Sequence, residues 1–287
     1  MISEELFRKL DEQAQEIPGL KHIFLITKDI VDYFTDIARV TDRVEMGGFL
    51  LGKLWINHSI IYAFHDYVQV RNVSPEPETS YTPDPTSKRE VMRLFKEGRY
   101  DIGAIMHTHP DDSAFSSPDL VSARFAELFD FDALNRKFGR WLEEMRPGRA
   151  ASPGFLVTGG AEPTLYCYTY NTRFELVAVA DDYVVKRLSG YLVSEARSHY
   201  EVLMREAEIV VEKMRKMGLI PPNLETLHET IMDTWFVGIP LRELEWLLSP
   251  EVEVKTEGGK GREESRELIE ELKERMRREI ERRLRQL

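Results

Sequence analysis

Two histidines and an aspartate are spaced in the sequence as ligands of one metal ion. His107 and His109 follow a predicted strand, and side chains two residues apart project to the same side of an extended backbone. Asp119 lies at the predicted start of a helix, where the chain has turned and a carboxylate can return to the same ion. Three protein ligands with one position left for water are typical of a catalytic zinc site. The pattern predicts one Zn²⁺ ion per chain, held by these three residues.

Two further motifs accompany the histidine pair. Paired histidines on a strand can be ordinary surface residues, so the accompanying residues decide the interpretation. The sequence contains EMGGFLLG at 45–52, HTHP at 107–110 and SSPD at 116–119. Together these resemble the JAMM (MPN-plus) metalloprotease family, whose pattern is Glu-x-x-Gly-x-Leu-x-Gly, then His-x-His-Pro, then Ser-x-x-Asp. The resemblance covers roughly residues 20–180, including the order of strands and helices.

The resemblance implies roles for two more residues. Zinc lowers the pKa of bound water toward about 7, and Glu45 would take the water's proton and return it to the departing amine. Ser116 would hydrogen-bond the oxyanion that develops on the amide carbonyl. Glu45 and Ser116 are therefore the expected catalytic residues, beside the metal ligands His107, His109 and Asp119.

The family's usual substrates imply the expected reaction. They are isopeptide bonds between the C-terminal Gly-Gly of ubiquitin, or of a ubiquitin-like protein, and a target lysine. A tail without bulky side chains can enter a narrow groove and pair as an added strand. Two alternatives stay open: a peptidase that trims the C-terminus of a ubiquitin-like or sulfur-carrier protein, and a non-catalytic MPN-type scaffold. The complete ligand set favours an enzyme, but nothing in the sequence separates isopeptide cleavage from trimming.

One loop departs from the family pattern. Six residues, 110–115, separate His109 from Ser116, whereas the family usually has seven. Because the Ser-x-x-Asp spacing is intact, we expect the deletion to fall within 111–114 and to leave the ligands in place. Ser117, directly before Pro118, suits the N-cap of the next helix, which leaves Ser116 for the active site.

Hydrophobic patterning predicts the elements that position these residues. Alternation and short apolar runs indicate strands, and apolar spacings of three and four indicate helices. Strands are predicted at 22–27, 47–52, 59–70, 101–106, 154–158, 164–170 and 173–180, and helices at 2–16, after residue 27, at 86–97 and at 131–146. We expect residues 1–182 to form an α/β catalytic domain. The resemblance implies a JAMM/MPN-type mixed central sheet flanked by helices, with a cytidine-deaminase-like architecture.

The remainder of the chain is predicted to be helical. We expect a helical insertion at 121–152, an all-helical extension at 183–248 with helices 183–217, 223–236 and 240–248, a linker at 249–261 and a charged helix at 262–287. The last helix combines a narrow apolar stripe with Glu–Arg pairs four residues apart. Such a stripe suits pairing of two copies, so a homodimer through the C-terminal helices is a further expectation.

The amino-acid composition excludes or disfavours several classes of protein. The 39 Lys and Arg residues against 50 Asp and Glu give a net charge of −11, which disfavours nucleic acid because phosphate binding needs a clustered positive field. The single cysteine, Cys167, excludes an intramolecular disulfide and the Pro-Cys-x-x-Cys ligands of a zinc deaminase; we expect it to be a buried structural thiol. The sequence shows neither a signal peptide nor an apolar run of about 18 residues, so we expect a cytoplasmic protein without a membrane partner.

Overall fold

The structure is a computed structural model. It describes residues 2–41, 43–116, 119, 130–139, 153–170, 174–180, 185–187, 193–195, 200–216, 218 and 223–248. Its helices are α1 (Glu4–Gln15), α2 (Lys28–Val40), α3 (Pro85–Lys96), α4 (Phe131–Phe138), α5 (Tyr200–Lys216), α6 (Leu224–Met232) and α7 (Leu241–Leu248). Its strands are β1 (His22–Thr27), β2 (Gly47–Ile56), β3 (Ile60–Val70), β4 (Ile102–His109), β5 (Gly154–Thr158), β6 (Thr164–Tyr170), β7 (Phe174–Val179), β8 (Val185–Arg187), β9 (Val193–Glu195) and β10 (Thr234–Pro240).

The described strands form one mixed sheet. Their order is β8-β7-β1-β3-β2-β4-β5-β6-β10-β9. β1 runs parallel to β3 and β7, and β4 runs parallel to β5, whereas the other neighbours are antiparallel. Helices pack against this sheet, so the predicted α/β class with a mixed sheet flanked by helices is confirmed.

Two helices show how local sequence signals set the element boundaries. Ser3 caps α1 by accepting a hydrogen bond from the Leu6 backbone N–H, and Leu6 and Leu10 lie on the buried face of the helix. Asp84 caps α3 in the same way, with Pro85 at its first position. Pro85 suits this position because the first backbone N–H groups of a helix have no partner within it. Burial of the apolar faces then fixes both helices on the sheet.

Strand β4 is longer than predicted. The expectation was a strand over 101–106 with HTHP beginning at its end, whereas the pairing continues to His109. β5 pairs with this extra length, with His107 opposite Leu156 and His109 opposite Thr158. The histidines therefore project from a paired strand rather than from a loop. Cys167 on β6 is buried, as predicted, and burial raises the pKa of its thiol.

The expectation of an all-helical extension over 183–248 was wrong in part. α5, α6 and α7 lie within the predicted helices 183–217, 223–236 and 240–248, but three strands also lie in this segment. β8, β9 and β10 are strands, and β10 pairs antiparallel with β6 from Thr234 opposite Tyr170 to Pro240 opposite Thr164. A short apolar run fits both a helix face and a buried strand, and the distant partner strand decides between them. Residues 1–249 form one compact unit, so the segment after 183 shares the sheet of the predicted catalytic domain.

Several predictions lie outside the described residues. These are Ser117 with Pro118, most of the insertion 121–152, the linker 249–261, the charged helix 262–287 and the homodimer contact. Of the insertion, Phe131–Phe138 is helical. A search of the described helices finds none that combines the length and apolar character needed to cross a membrane.

Candidate metal centre

The pairing of β2 with β4 brings the upstream glutamate motif to the histidine motif. Gly47 lies opposite His107 in this antiparallel register, and continuing the register by two residues places Glu45 beside His109. The Thr108 N–H donates to the Met46 carbonyl at 2.7 Å, and the Met46 N–H donates to Thr108 Oγ1 at 3.0 Å. Thr108 thereby ties the two motifs together between its neighbouring histidines.

Three buried side chains present donor atoms at close spacing. The Nε2 atoms of His107 and His109 are 3.2 Å apart. Asp119 Oδ1 lies 2.9 Å from His107 Nε2, and its Oδ2 lies 3.4 Å from His109 Nε2. Donors bound to tetrahedral Zn²⁺ at about 2.0–2.1 Å are about 3.3 Å from one another. The imidazole and carboxylate donors therefore fit a zinc ion in both chemistry and spacing.

Glu45 is buried beside this trio. Its Oε1 lies 3.9 Å from His109 Nε2, and ligand atoms of Glu45, His107 and His109 lie within 4.8 Å of one another. The Glu45 N–H donates to the Pro77 carbonyl at 2.7 Å, and Asn72 Nδ2 donates to the Glu45 carbonyl at 2.9 Å. The backbone of Glu45 is thus held on both sides, which fixes where its carboxylate enters the site.

The charges at the site are strongly coupled. Burial lowers the pKa of His109, but the hydrogen bond and charge of Asp119, together with Glu45, outweigh burial and raise that pKa to about 9. Burial raises the pKa of Asp119, but His107 and His109 outweigh it and hold that pKa well below its usual range. Burial raises the pKa of Glu45 despite an opposing effect of the histidines. The pocket therefore holds an ionised Asp119 and a Glu45 whose pKa is shifted toward neutrality.

Ser113 orients the second histidine, and no motif in the sequence predicted this role. His109 Nδ1 lies 3.0 Å from the Ser113 carbonyl oxygen and 3.0 Å from Ser113 Oγ. Because a carbonyl oxygen only accepts, Nδ1 donates its proton there. This leaves Nε2 as the ring nitrogen that could bind a metal ion, the arrangement that is usual when the other nitrogen of a ligating histidine is hydrogen-bonded. Ser113 Oγ also donates to Asp111 Oδ1. This hydrogen bond links two residues within the loop between His109 and Ser116.

Ser116 contacts the aspartate through both its backbone and its side chain. Its N–H donates to Asp119 Oδ2 at 2.5 Å, and its hydroxyl donates to the same oxygen at 2.7 Å. The structure therefore brings the predicted Ser116 to the edge of the metal centre, where it orients a predicted ligand. All five predicted site residues lie together despite the missing residue in the loop.

Tyr81 and Asn72 also border the site, and neither was predicted. Tyr81 follows a proline-rich loop and stacks on His107, and no spacing in the sequence connects it to the metal motif. Asn72 is visible in sequence only as a polar residue after β3. Glu45, His107 and His109 also form a group of clustered side chains that could hold a metal ion, so among the described residues both Glu45 and Asp119 lie close enough to the histidines to complete a ligand set.

Comparison with known families identifies the domain that carries these residues. Residues 27–137 match the family of prokaryotic homologs of the JAB domain. The matched range contains all five predicted site residues and ends within α4. The match confirms the resemblance to the JAMM/MPN family that the motifs predicted. No curated protein matches the chain.

Proposed function

We propose that this chain with a JAB-type domain is a zinc-dependent isopeptidase, which cleaves the bond between the C-terminal Gly-Gly of a ubiquitin-like protein and a lysine. The observation that carries the proposal is the buried trio of His107, His109 and Asp119, whose donor atoms are 2.9–3.4 Å apart, with the Glu45 carboxylate beside it. Burying ionisable groups destabilises the folded state unless they are paired or bind a metal ion. A scaffold without catalytic activity does not require such an arrangement. The ligand set thus favours an enzyme over a metal-free scaffold.

Each residue near the ion has a chemical task in this proposal. When bound, zinc supplies the positive charge that makes water a nucleophile at neutral pH. Glu45 accepts a proton from the attacking water and transfers it to the departing amine, a task helped by a pKa raised toward neutrality. The Ser116 hydroxyl would turn from Asp119 Oδ2, to which it donates in the structure, and donate to the carbonyl oxygen as negative charge develops there. His107, His109 and Asp119 hold the metal.

The surroundings of Glu45 suit a cationic target. Glu78 is exposed one residue beyond Pro77, whose carbonyl holds the Glu45 backbone. Asp111 and Asp112 are exposed on the loop that follows His109. Acidic side chains on both neighbouring loops attract positively charged groups to the site. This charge supports a lysine-bearing protein as the substrate.

The test begins with metal and activity measured on the same purified protein. We expect elemental mass spectrometry to find about one zinc ion per chain. We also expect the protein to cleave a Gly-Gly-linked modifier from a lysine ε-amine. A chelator should stop the cleavage, and added zinc should restore it. Glu45→Gln should retain zinc but lose activity. The matched control Glu12→Gln changes an exposed glutamate on α1 and should keep full activity.

The choice of substrates separates the alternatives. Each modifier in the panel is offered twice, once linked to lysine through an isopeptide bond and once with a linear extension after Gly-Gly. Cleavage of only the linear form would replace the isopeptidase by a trimming peptidase. Zinc binding without hydrolysis of either form would indicate a scaffold. A preparation that neither contains nor binds zinc would contradict the whole proposal.

A further inference from the structure

We infer that β10 positions the metal ligand Asp119, acting through the contact of Phe236 with Phe115. This inference rests on the proposed zinc site and deepens it. β10 follows the matched range 27–137. The segment that the sequence predicted as a separate helical extension would then be a part of the catalytic centre.

The first observation is the packing of Phe115. Its ring lies 4.8 Å from the ring of Phe236 on β10, centroid to centroid, with the planes at 72°. It lies 5.8 Å from the ring of Tyr168 on β6. The pair with Phe236 is edge-to-face, an arrangement that is favourable beyond the area it buries, and the pair with Tyr168 is tilted by 34°. Phe115 is therefore held by two rings from neighbouring strands.

The second observation is the cluster that supports those rings. α5 and α6 contribute residues at spacings of four, which place them on one face of each helix. The buried members are Leu156, Tyr168, Leu203, Ala207, Val211, Leu227, Ile231 and Phe236, with Phe115, Tyr166, Tyr200 and Met204 packed against them. Phe115 is the member that comes from the loop between the metal motifs, so the loop is anchored in a core built largely after residue 153.

The third observation connects this anchor to the metal site. Ser116 follows Phe115 directly, and both its N–H and its hydroxyl donate to Asp119 Oδ2. Earlier in the loop, the Ser113 carbonyl oxygen accepts a hydrogen bond from His109 Nδ1. Only six residues, 110–115, separate His109 from Ser116, and hydrogen bonds hold this loop at Ser113 and Ser116, so it has little freedom to absorb a shift of Phe115. A displacement of that ring is therefore transmitted to the carboxylate of Asp119.

The experiment compares Phe115→Ala and Phe236→Ala with Leu227→Ala. Leu227 belongs to the same cluster but lies on α6, so its variant controls for general loss of core packing. All are studied below their melting temperatures, with folding checked by circular dichroism. We expect the two phenylalanine variants to lose about tenfold or more in zinc affinity, the range seen when supporting partners of metal ligands are removed. Their Co²⁺ absorption spectra should change, and Leu227→Ala should keep the wild-type affinity and spectrum.

Phe236→Leu provides a rescue, because an apolar side chain refills the space beside Phe115 and should restore most of the affinity. Hydrogen exchange of the peptide 110–116 in metal-free protein gives a readout without zinc, and exchange should be faster in both alanine variants. Wild-type affinity and exchange in Phe115→Ala and Phe236→Ala would overturn the inference, as would an equal loss in Leu227→Ala. A wild-type protein that binds no zinc would instead refute the proposed function, while the exchange measurement still tests the anchoring of the loop.

Discussion

The ring of Tyr81 lies parallel to the imidazole of His107. The ring centroids are 6.0 Å apart and the planes differ by 4°. Gly47, opposite His107 in the sheet, makes room for this arrangement: a Cβ atom there would come within 2.8 Å of Tyr81 Cζ and 2.9 Å of His107 Cβ. The Tyr81 hydroxyl donates to the Val70 carbonyl at 3.3 Å. The absence of a side chain at Gly47 thus leaves room for a ring that restrains His107, a proposed metal ligand.

Loss of the Tyr81 ring should weaken zinc binding. In Tyr81→Leu the His107 imidazole loses its parallel neighbour and gains freedom to rotate, so we expect about a tenfold lower zinc affinity, as for other groups that orient ligands. Tyr81→Phe keeps the ring and loses only the bond to Val70, so its affinity should stay within about threefold of wild type. Competition with a chromophoric chelator measures both. Equal affinities of the leucine and wild-type proteins would show that the stacking does not orient His107.

Zinc binding should release a proton from His109. In the metal-free protein the pKa of His109 is raised to about 9, so its ring carries two protons at neutral pH, whereas a ligating ring must give up the proton on Nε2. Binding then releases this proton below about pH 9, and affinity falls as the pH decreases. Calorimetry at pH 7.5 in buffers of different ionisation enthalpy counts the protons. An apparent enthalpy that is independent of the buffer would contradict this expectation.

Removal of the Ser116 hydroxyl should affect the rate more than the metal. Ser116→Ala loses the proposed donor to the oxyanion and one of the two hydrogen bonds to Asp119 Oδ2, but it keeps the backbone N–H that also holds this carboxylate. We therefore expect kcat to fall by about 10²–10³ with zinc still bound. Ser113→Ala is the matched control, because the Ser113 carbonyl still accepts from His109 and the rate should change little. The kcat of each variant is measured on an isopeptide substrate, and its zinc content is measured in parallel. Similar losses in the two variants would argue against an oxyanion role for Ser116.

The sequence predicted the residues of the candidate metal centre because most of them stand in short local motifs. His107 and His109 are two apart on one strand, and the spacing from Ser116 to Asp119 is also local. The contribution of β10 was missed because its pairing with β6 and the contact of Phe236 with Phe115 depend on residues distant in sequence. Tyr81 was missed for the same reason. Short apolar runs such as 234–240 acquire their structure from a partner strand rather than from their own pattern.

A buried aspartate far from the metal motif should support the fold. Asp11 accepts hydrogen bonds from the Ser59 N–H at 2.7 Å and from its hydroxyl at 2.6 Å, and from Asn57 Nδ2 at 2.7 Å. Burial raises the pKa of Asp11, but these bonds outweigh burial and lower it. A lowered folded-state pKa means that the ionised form stabilises the protein above the ordinary value of about 4, and that this contribution is lost as the pH falls through the folded pKa.

Asp11→Asn tests that contribution. An amide presents an N–H₂ group to one of the donors, so we expect the free energy of unfolding at pH 7 to decrease by about 1–3 kcal/mol. Glu12→Gln, on the exposed face of the same helix, should change it by less than about 0.5 kcal/mol. Urea unfolding at pH 7 and near pH 3 measures both, and the difference between Asp11→Asn and wild type should shrink at the lower pH because Asp11 is then increasingly protonated. A difference that persists unchanged near pH 3 would assign the effect to packing rather than to the ionised carboxylate.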